Sequence, residues 1–356
     1  MENLFITEFF SSEEIELVDK VKQRDRPHPI NQIRCVRDCI PYDIGRIVAA
    51  NTDMAYRSIA FSNDDVIKKW LFRKKGDFLN VDDFSTSSSA LGELRCFGGL
   101  LDAGFQVAPI DEGDQATPDF VVVNDCECIH IEVNSKQMTE EEAIELSTFY
   151  NTPPNFVNSG DVNVSVRIIE VTPFGKPSKG ENVTENAISK LCGIKSDEKQ
   201  FSDSVPSILW LDFQDELWHM DIKQSHTIPL HSLNGELTVG VLWYAFYGYK
   251  GAPIIELHST ERRHSSEIVK MQHEGRFRQK TKVDAIIISL PDSTFALENP
   301  YSAKPIPEWF WKRAIFVPRF KLEYSRLNWP CKNLSSIVEN EWNIIEAWVK
   351  LPLYKQ

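Results

Sequence analysis

The sequence predicts an α/β fold in which a helical N-terminal region leads into a sheet. Three observations predict it: helix-period apolar patterns run through the first hundred residues, three short strand-like segments follow in close succession, and later apolar runs alternate with helical patterns. At 356 residues, with 42% hydrophobic, 11% aromatic and 26% charged residues, the chain can fill a large core, which excludes a stapled mini-protein and wholesale disorder. No apolar run reaches the roughly 18 residues that cross a bilayer. The start MENLFITEFFSSEEIELVDK lacks the basic flank and apolar block of a secretion signal. A soluble, cytoplasmic protein with no membrane contact is the expectation. Seven cysteines, at 35, 39, 96, 126, 128, 192 and 331, form an odd set and read as reduced thiols.

Ser11 and Glu14 stand at capping-box spacing ahead of Ile15, Val18 and Val21, so a helix belongs near the start. Helices are also expected at residues 43–60 and 64–74, before VDDFSTSSSA supplies a loop rich in capping residues and a boundary near residue 85. Leu91, Leu94, Phe97, Gly98 and Leu101 suit a helix over 89–103 that packs one face and carries Glu93. FQVAPI, TPDFVVV and CECIHIEV then read as three strands. In the third, Cys128, His130, Glu132 and Asn134 face opposite to Ile129, Ile131 and Val133, because strand side chains alternate. Further on, MTEEEAIELSTFY reads as a helix, DVNVSVRIIEVTP as a strand, 181–193 as a helix and SVPSILWLDF as a buried strand. Residues 238–247 and 283–290 are strand-like, and IVENEWNIIEAWV is a packed terminal helix. The expected organisation is a mainly helical accessory region at 1–85, a core at 86–330 and a helical tail at 331–356 packed on the core.

The formal charge, 39 Lys and Arg against 52 Asp and Glu, is -13, which argues against a protein that coats nucleic acid indiscriminately but leaves room for a local basic groove. Glu93, Asp119, Glu132 and Lys136 are the types that phosphodiester hydrolysis uses. Carboxylates can position Mg2+, or Mn2+, against an anionic backbone, and a lysine can stabilise developing negative charge. Asp119 begins one strand and Glu132 lies near the end of the next, so adjacent strands can bring them together. There is no G-x-S-x-G elbow, H-E-x-x-H segment, P-loop or G-x-G-x-x-G sequence, so the other recognisable catalytic anchors are missing.

Pro118-Asp119-Phe120 followed by Ile131-Glu132-Val133, with Glu93 in GELR on the preceding helix, resembles the PD-(D/E)xK, or restriction-endonuclease-like, nuclease superfamily. The resemblance covers roughly residues 89–175 at motif level. It implies a mixed central sheet flanked by helices, metal bound by Asp119 and Glu132 with assistance from Glu93, and DNA cleavage, as in restriction or genome defence. Strict spacing puts Asn134 where the motif has lysine, while Lys136 lies two positions farther along with the strand-face parity of Glu132. Two readings follow: an Mg2+-dependent endonuclease, or a nuclease-like domain without catalysis that binds DNA or protein. A homo-oligomer with two active sites fits the first.

The strongest phosphate-contact candidate is the segment 261–282, with seven Lys or Arg against three Asp or Glu. Arg262 and Arg263 open it. Arg276, Arg278, Lys280 and Lys282 alternate, so an extended chain would place four cations on one face; a solvated basic edge that protects a sheet is the competing reading. Trp309 and Trp311 read as apolar anchors ahead of base-stacking groups, and His130 as a packing residue ahead of a functional one.

Overall fold

Capping and apolar periodicity set the helices of the N-terminal half. A computed structural model of the protein describes residues 3–23, 26–34, 44–111, 116–136, 156–159, 162–165, 183–214, 240–260, 263–325, 327–328 and 333–350. Helices α1 (Leu4–Thr7), α2 (Ser12–Lys20), α3 (Pro29–Arg34), α4 (Ile44–Ala60), α5 (Asp65–Arg73), α6 (Lys75–Phe78) and α7 (Phe84–Asp102) come first. The Ser11 and Glu14 capping box is formed at α2. Asp64 accepts from the Val66 N–H at 2.8 Å to start α5. Asp83 accepts from the Ser85 N–H at 2.9 Å, so α7 begins five residues before the expected position 89.

Strands β1 (Gln106–Pro109), β2 (Phe120–Asn124), β3 (Glu127–Ser135), β4 (Ser207–Asp212), β5 (Ala285–Leu290), β6 (Ser293–Glu298) and β7 (Phe320–Tyr324) form one seven-stranded mixed sheet in their own chain order. β1, β2 and β3 are an antiparallel meander. β4 joins β3 in parallel and β5 joins β4 in parallel. β6 then turns back antiparallel to β5, and β7 runs parallel to β6. Parallel neighbours need long crossovers. The described parts of the two at the sheet centre hold α8 (Val183–Gly193), then α9 (Val241–Tyr247) and the antiparallel ribbon Pro253–Thr260 with Arg263–Lys270. Helices α10 (Glu308–Ala314) and α11 (Leu334–Trp348) complete the molecule.

The period-2 rule divides the core in two. Ile129, Ile131, Val133, Ile208, Trp210, Ala285 and Ile287 pack with apolar residues of α1 to α7 and α10. Leu209, Leu211, Ile286, Ile288, Phe295 and Leu297 pack with α8, α9 and α11. All six residues of β4, of β5 and of β6 are buried, including the polar Ser207, Asp212, Ser289, Ser293, Thr294 and Glu298 that sit among their apolar residues. The molecule is therefore mixed α/β, with helices on both sheet faces.

Residues 241–247, expected within a strand, are helical instead. The side chains of Leu242 through Tyr247 are all buried, and a helix buried on every side has no polar stripe to betray its period. The expected helix at 138–150 lies outside the described residues, as does all but Val162–Ser165 of the expected strand at 161–173. Among the described residues no helix is long and apolar enough to cross a membrane.

Candidate active site

Close approach of α7 to the sheet brings the first carboxylate into place. At Gly92 an added Cβ would clash with Ser135 Oγ and lie 3.2 Å from Asp212 Cβ, so the missing side chain lets the helix rest closely on the ends of β3 and β4. Glu93 follows it directly. At Gly98 a Cβ would meet the Ala55 Cα at 2.4 Å, which locks α7 against α4. The second carboxylate comes from strand pairing. Phe120 is opposite Ile131, so Asp119 lies one step beyond the last pair, across from Glu132. The Val133 N–H donates to Asp119 Oδ2 at 2.7 Å and fixes that carboxylate.

Glu93, Asp119 and Glu132 thus gather at one end of β2 and β3. Burial pushes Glu93 up to about 7, with the Asp119 charge adding to the effect, while Lys74 works the other way. Burial also pushes Asp119 up to about 7, assisted by the Glu132 charge and opposed by the Val133 N–H. Glu132 is raised by burial against the counteracting Lys195 ammonium. Lys74 Nζ lies 2.9 Å from Glu93 Oε2, and Lys195 Nζ lies 2.6 Å from Glu132 Oε1. A cleft of about 460 Å3 opens over Glu93 and Asp119, walled also by Trp70, Arg73, Lys74, Asp77 and Pro118; Glu132 is not part of its lining.

Lys136 is not brought to the carboxylates. Its N–H donates to Asp212 O at 3.1 Å, and its ammonium, lowered by burial and by the nearby Lys190 charge, makes no ion pair with Glu93, Asp119 or Glu132. The lysine that reaches Glu132 is Lys195, in the turn after α8. Burial disfavours its charge, but the hydrogen bond to Glu132 together with the Glu132, Asp119 and Asp197 charges outweighs that and raises it. Its backbone is left-handed, φ 51°, as is that of Glu198, a conformation that costs about 1 kcal/mol for a residue with a Cβ. Arg276 holds the turn: its buried guanidinium donates to Ile194 O and, at 3.0 Å, to Lys195 O, and pairs with Glu198 at 3.3 Å. No motif spacing marks Lys195 or Lys74, because each arrives through packing of a separate element.

The basic segment departs from its expected form. Arg276 to Arg278 form a 3-10 turn instead of an extended strand, and Arg276 is only 3% exposed, so it anchors the turn and faces no solvent phosphate. Arg278 donates to Tyr247 O at 3.0 Å and to Glu339 Oε1 at 2.6 Å. Lys282 pairs with Asp203 at 3.0 Å, and Lys280 is exposed. Arg263 begins a strand of the ribbon, and Arg262 lies outside the described residues, as does Gln137. Trp311 is buried, and the Trp309 indole donates to Glu127 Oε2 at 2.6 Å. His130 is half-buried, lowered by burial and by Lys304.

Three hard-oxygen carboxylates suit a hard divalent cation. Glu132 Oε2, buried without a hydrogen-bond partner, is an oxygen such a cation would satisfy. Among the described residues, however, no three carboxylate, imidazole or thiolate side chains converge on one point at metal-holding distance. Lys74 and Lys195 each draw one carboxylate to themselves instead. Asp212, at the end of β4, is taken by Arg95 through two hydrogen bonds of 2.9 and 2.7 Å. No family model, curated protein or solved structure matches this chain.

Proposed function

We propose that this protein is a metal-dependent nuclease acting on DNA, with a restriction-endonuclease-like core and its active site at Glu93, Asp119, Glu132 and Lys195. One observation carries the reading: two buried carboxylates pushed up to about 7 line an open cleft, and a third, paired with a lysine, lies across from one of them on the next strand. Such an arrangement costs stability, and catalytic sites are where that cost is offset by function. Asp119 and Glu132 would hold the cation, Mg2+ or Mn2+, with Glu93 beside them. The cation would neutralise charge on the phosphate and polarise its oxygen. Glu93, near 7, is placed in acidity to take a proton from the attacking water. Water oxygen bonds to phosphorus, the bond to the leaving sugar oxygen breaks, and that oxygen is protonated from solvent. The Lys195 ammonium would stabilise the negative charge that builds on phosphate in between. A cytoplasmic role in restriction or genome defence fits this chemistry.

The test compares the intact protein with the D119A/E132A variant on labelled single- and double-stranded DNA and RNA, in Mg2+ and in Mn2+. Cleavage that needs metal and falls at least about 100-fold in the variant is expected. Metal-dependent cleavage that survives both substitutions overturns the site. A second reading, a nuclease-like domain that binds nucleic acid or protein without catalysis, draws on Asn134 at the motif lysine and on the ammonium groups at Glu93 and Glu132. It predicts tight binding with no cleavage under either metal.

A further inference from the structure

We propose that the outward face of α5 is the docking surface for a single strand of DNA and leads it into the carboxylate cleft. This inference rests on the nuclease reading and assigns the substrate path that the 261–282 segment does not supply. Residues 68–75 read KKWLFRKK, five cations with no carboxylate in a chain whose net charge is -13. Ile67, Trp70 and Leu71 turn inward. Val66, Lys69, Phe72 and Arg73 therefore share the outer face, at the three- and four-residue spacing of one helical stripe. Phe72 is 65% exposed and Val66 55%, which is costly display for apolar side chains on a charged helix. The Phe72 ring rests against Phe9 on one side, with centroids 5.8 Å apart, and leaves its other side open.

Val66, Lys69, Phe72, Arg73 and Asp111 line a second open cleft, and Arg73 and Asp111 belong also to the cleft above Glu93 and Asp119. The two clefts share that pair as a common wall. Arg73 and Asp111 form a 2.8 Å ion pair with both side chains well exposed, the kind of pair a phosphate can exchange into. Lys69 makes no ion pair with a described residue. An exposed ring flanked by cations suits an unpaired base with its phosphates. A duplex keeps its base faces stacked inside, so it cannot use Phe72 in this way.

The test is fluorescence anisotropy of labelled dT20, and of a 20-base-pair duplex, with the intact protein in EDTA, so that binding is read without cleavage. F72A is expected to weaken dT20 binding about 10-fold. K69E/R73E is expected to weaken it at least as much and to flatten its salt dependence. All three side chains are exposed, so melting temperatures should be unchanged. Binding of dT20 that is unchanged in both variants, tighter binding of the duplex, or no binding of dT20 at low salt overturns the proposal. Loss of binding in the variants, in a protein that never cleaves, leaves this surface standing and removes the nuclease reading. Cleavage of single-stranded DNA by both variants at the intact rate does the reverse.

Discussion

At the residue scale, the proton is the first ligand of the site. Glu93 and Asp119 rise to about 7 from ordinary values of 4.5 and 3.8. Between those limits the folded chain holds more protons than the unfolded one, so the stability they supply is present below about pH 4 and lost as pH rises through about 7. The melting temperature of Glu93→Gln minus that of the intact protein should therefore grow more positive from pH 5 to pH 8; a constant difference would show that Glu93 does not titrate there. At the proposed metal site a divalent cation would compete with those protons. Mg2+ should accordingly raise the melting temperature more at pH 8 than at pH 5. The two lysines divide as sharply: Lys195→Met should lower cleavage about 100-fold, while Lys136→Met should stay within a few-fold. The opposite result would return the role to Lys136. Glu93, Asp119 and Glu132 were legible in the sequence because the strand and helix patterns around them are local. Lys195 was not, since its partner lies in another element and no local rule connects a left-handed turn after α8 to the end of β3.

At the element scale, two contacts aim the site. Gly92 lets α7 touch the sheet, so Gly92→Ala should cost about 1–3 kcal/mol and shift Glu93 away from Asp119. Ser135→Ala removes the clash with Ser135 Oγ and leaves contacts of 3.2 Å, so the double variant should recover most of that loss in urea denaturation. A single variant as stable as the intact protein would mean that α7 can slide without penalty. The turn that presents Lys195 depends on Arg276. Arg276→Ala removes the buried guanidinium's bonds to Ile194 O and Lys195 O, while Glu198 keeps those from Thr281 and the Lys282 N–H, so it should cost about 1–3 kcal/mol, while dT20 affinity of the folded fraction stays unchanged. A selective loss of affinity would return Arg276 to the phosphate-contact role its alternating spacing suggested. That spacing misled because a 3-10 turn and an extended strand are told apart by burial, which the sequence pattern does not carry. The misread strand at 238–247 has the same cause: α9 is apolar on every side.

At the scale of the whole molecule, one sheet serves two cores. Phe5, Phe9, Tyr56, Trp70 and Phe78 belong to the same apolar cluster as Ile129, Ile131 and Ile208. Removing residues 1–83 would bare the apolar face of α7 and the part of β1 that α5 covers, and the shortened chain should be insoluble or aggregated in size-exclusion chromatography. A monodisperse fragment would show that the N-terminal helices are dispensable for folding. The net charge of -13 takes a local meaning in this frame. Carboxylates collect at the strand ends and five cations stand at 68–75, so under the proposed function attraction and chemistry would occupy separate surfaces. By itself the sequence determined the α/β class, most helices, the strands from 106 to 135 and the three acidic residues, because capping, periodicity and alternation are short-range. Tertiary structure alone decided which lysine meets Glu132, that Arg276 is buried and that α9 is a helix. Each of these depends on desolvation by elements distant in the chain, and a residue carries no mark of which neighbours will exclude its water.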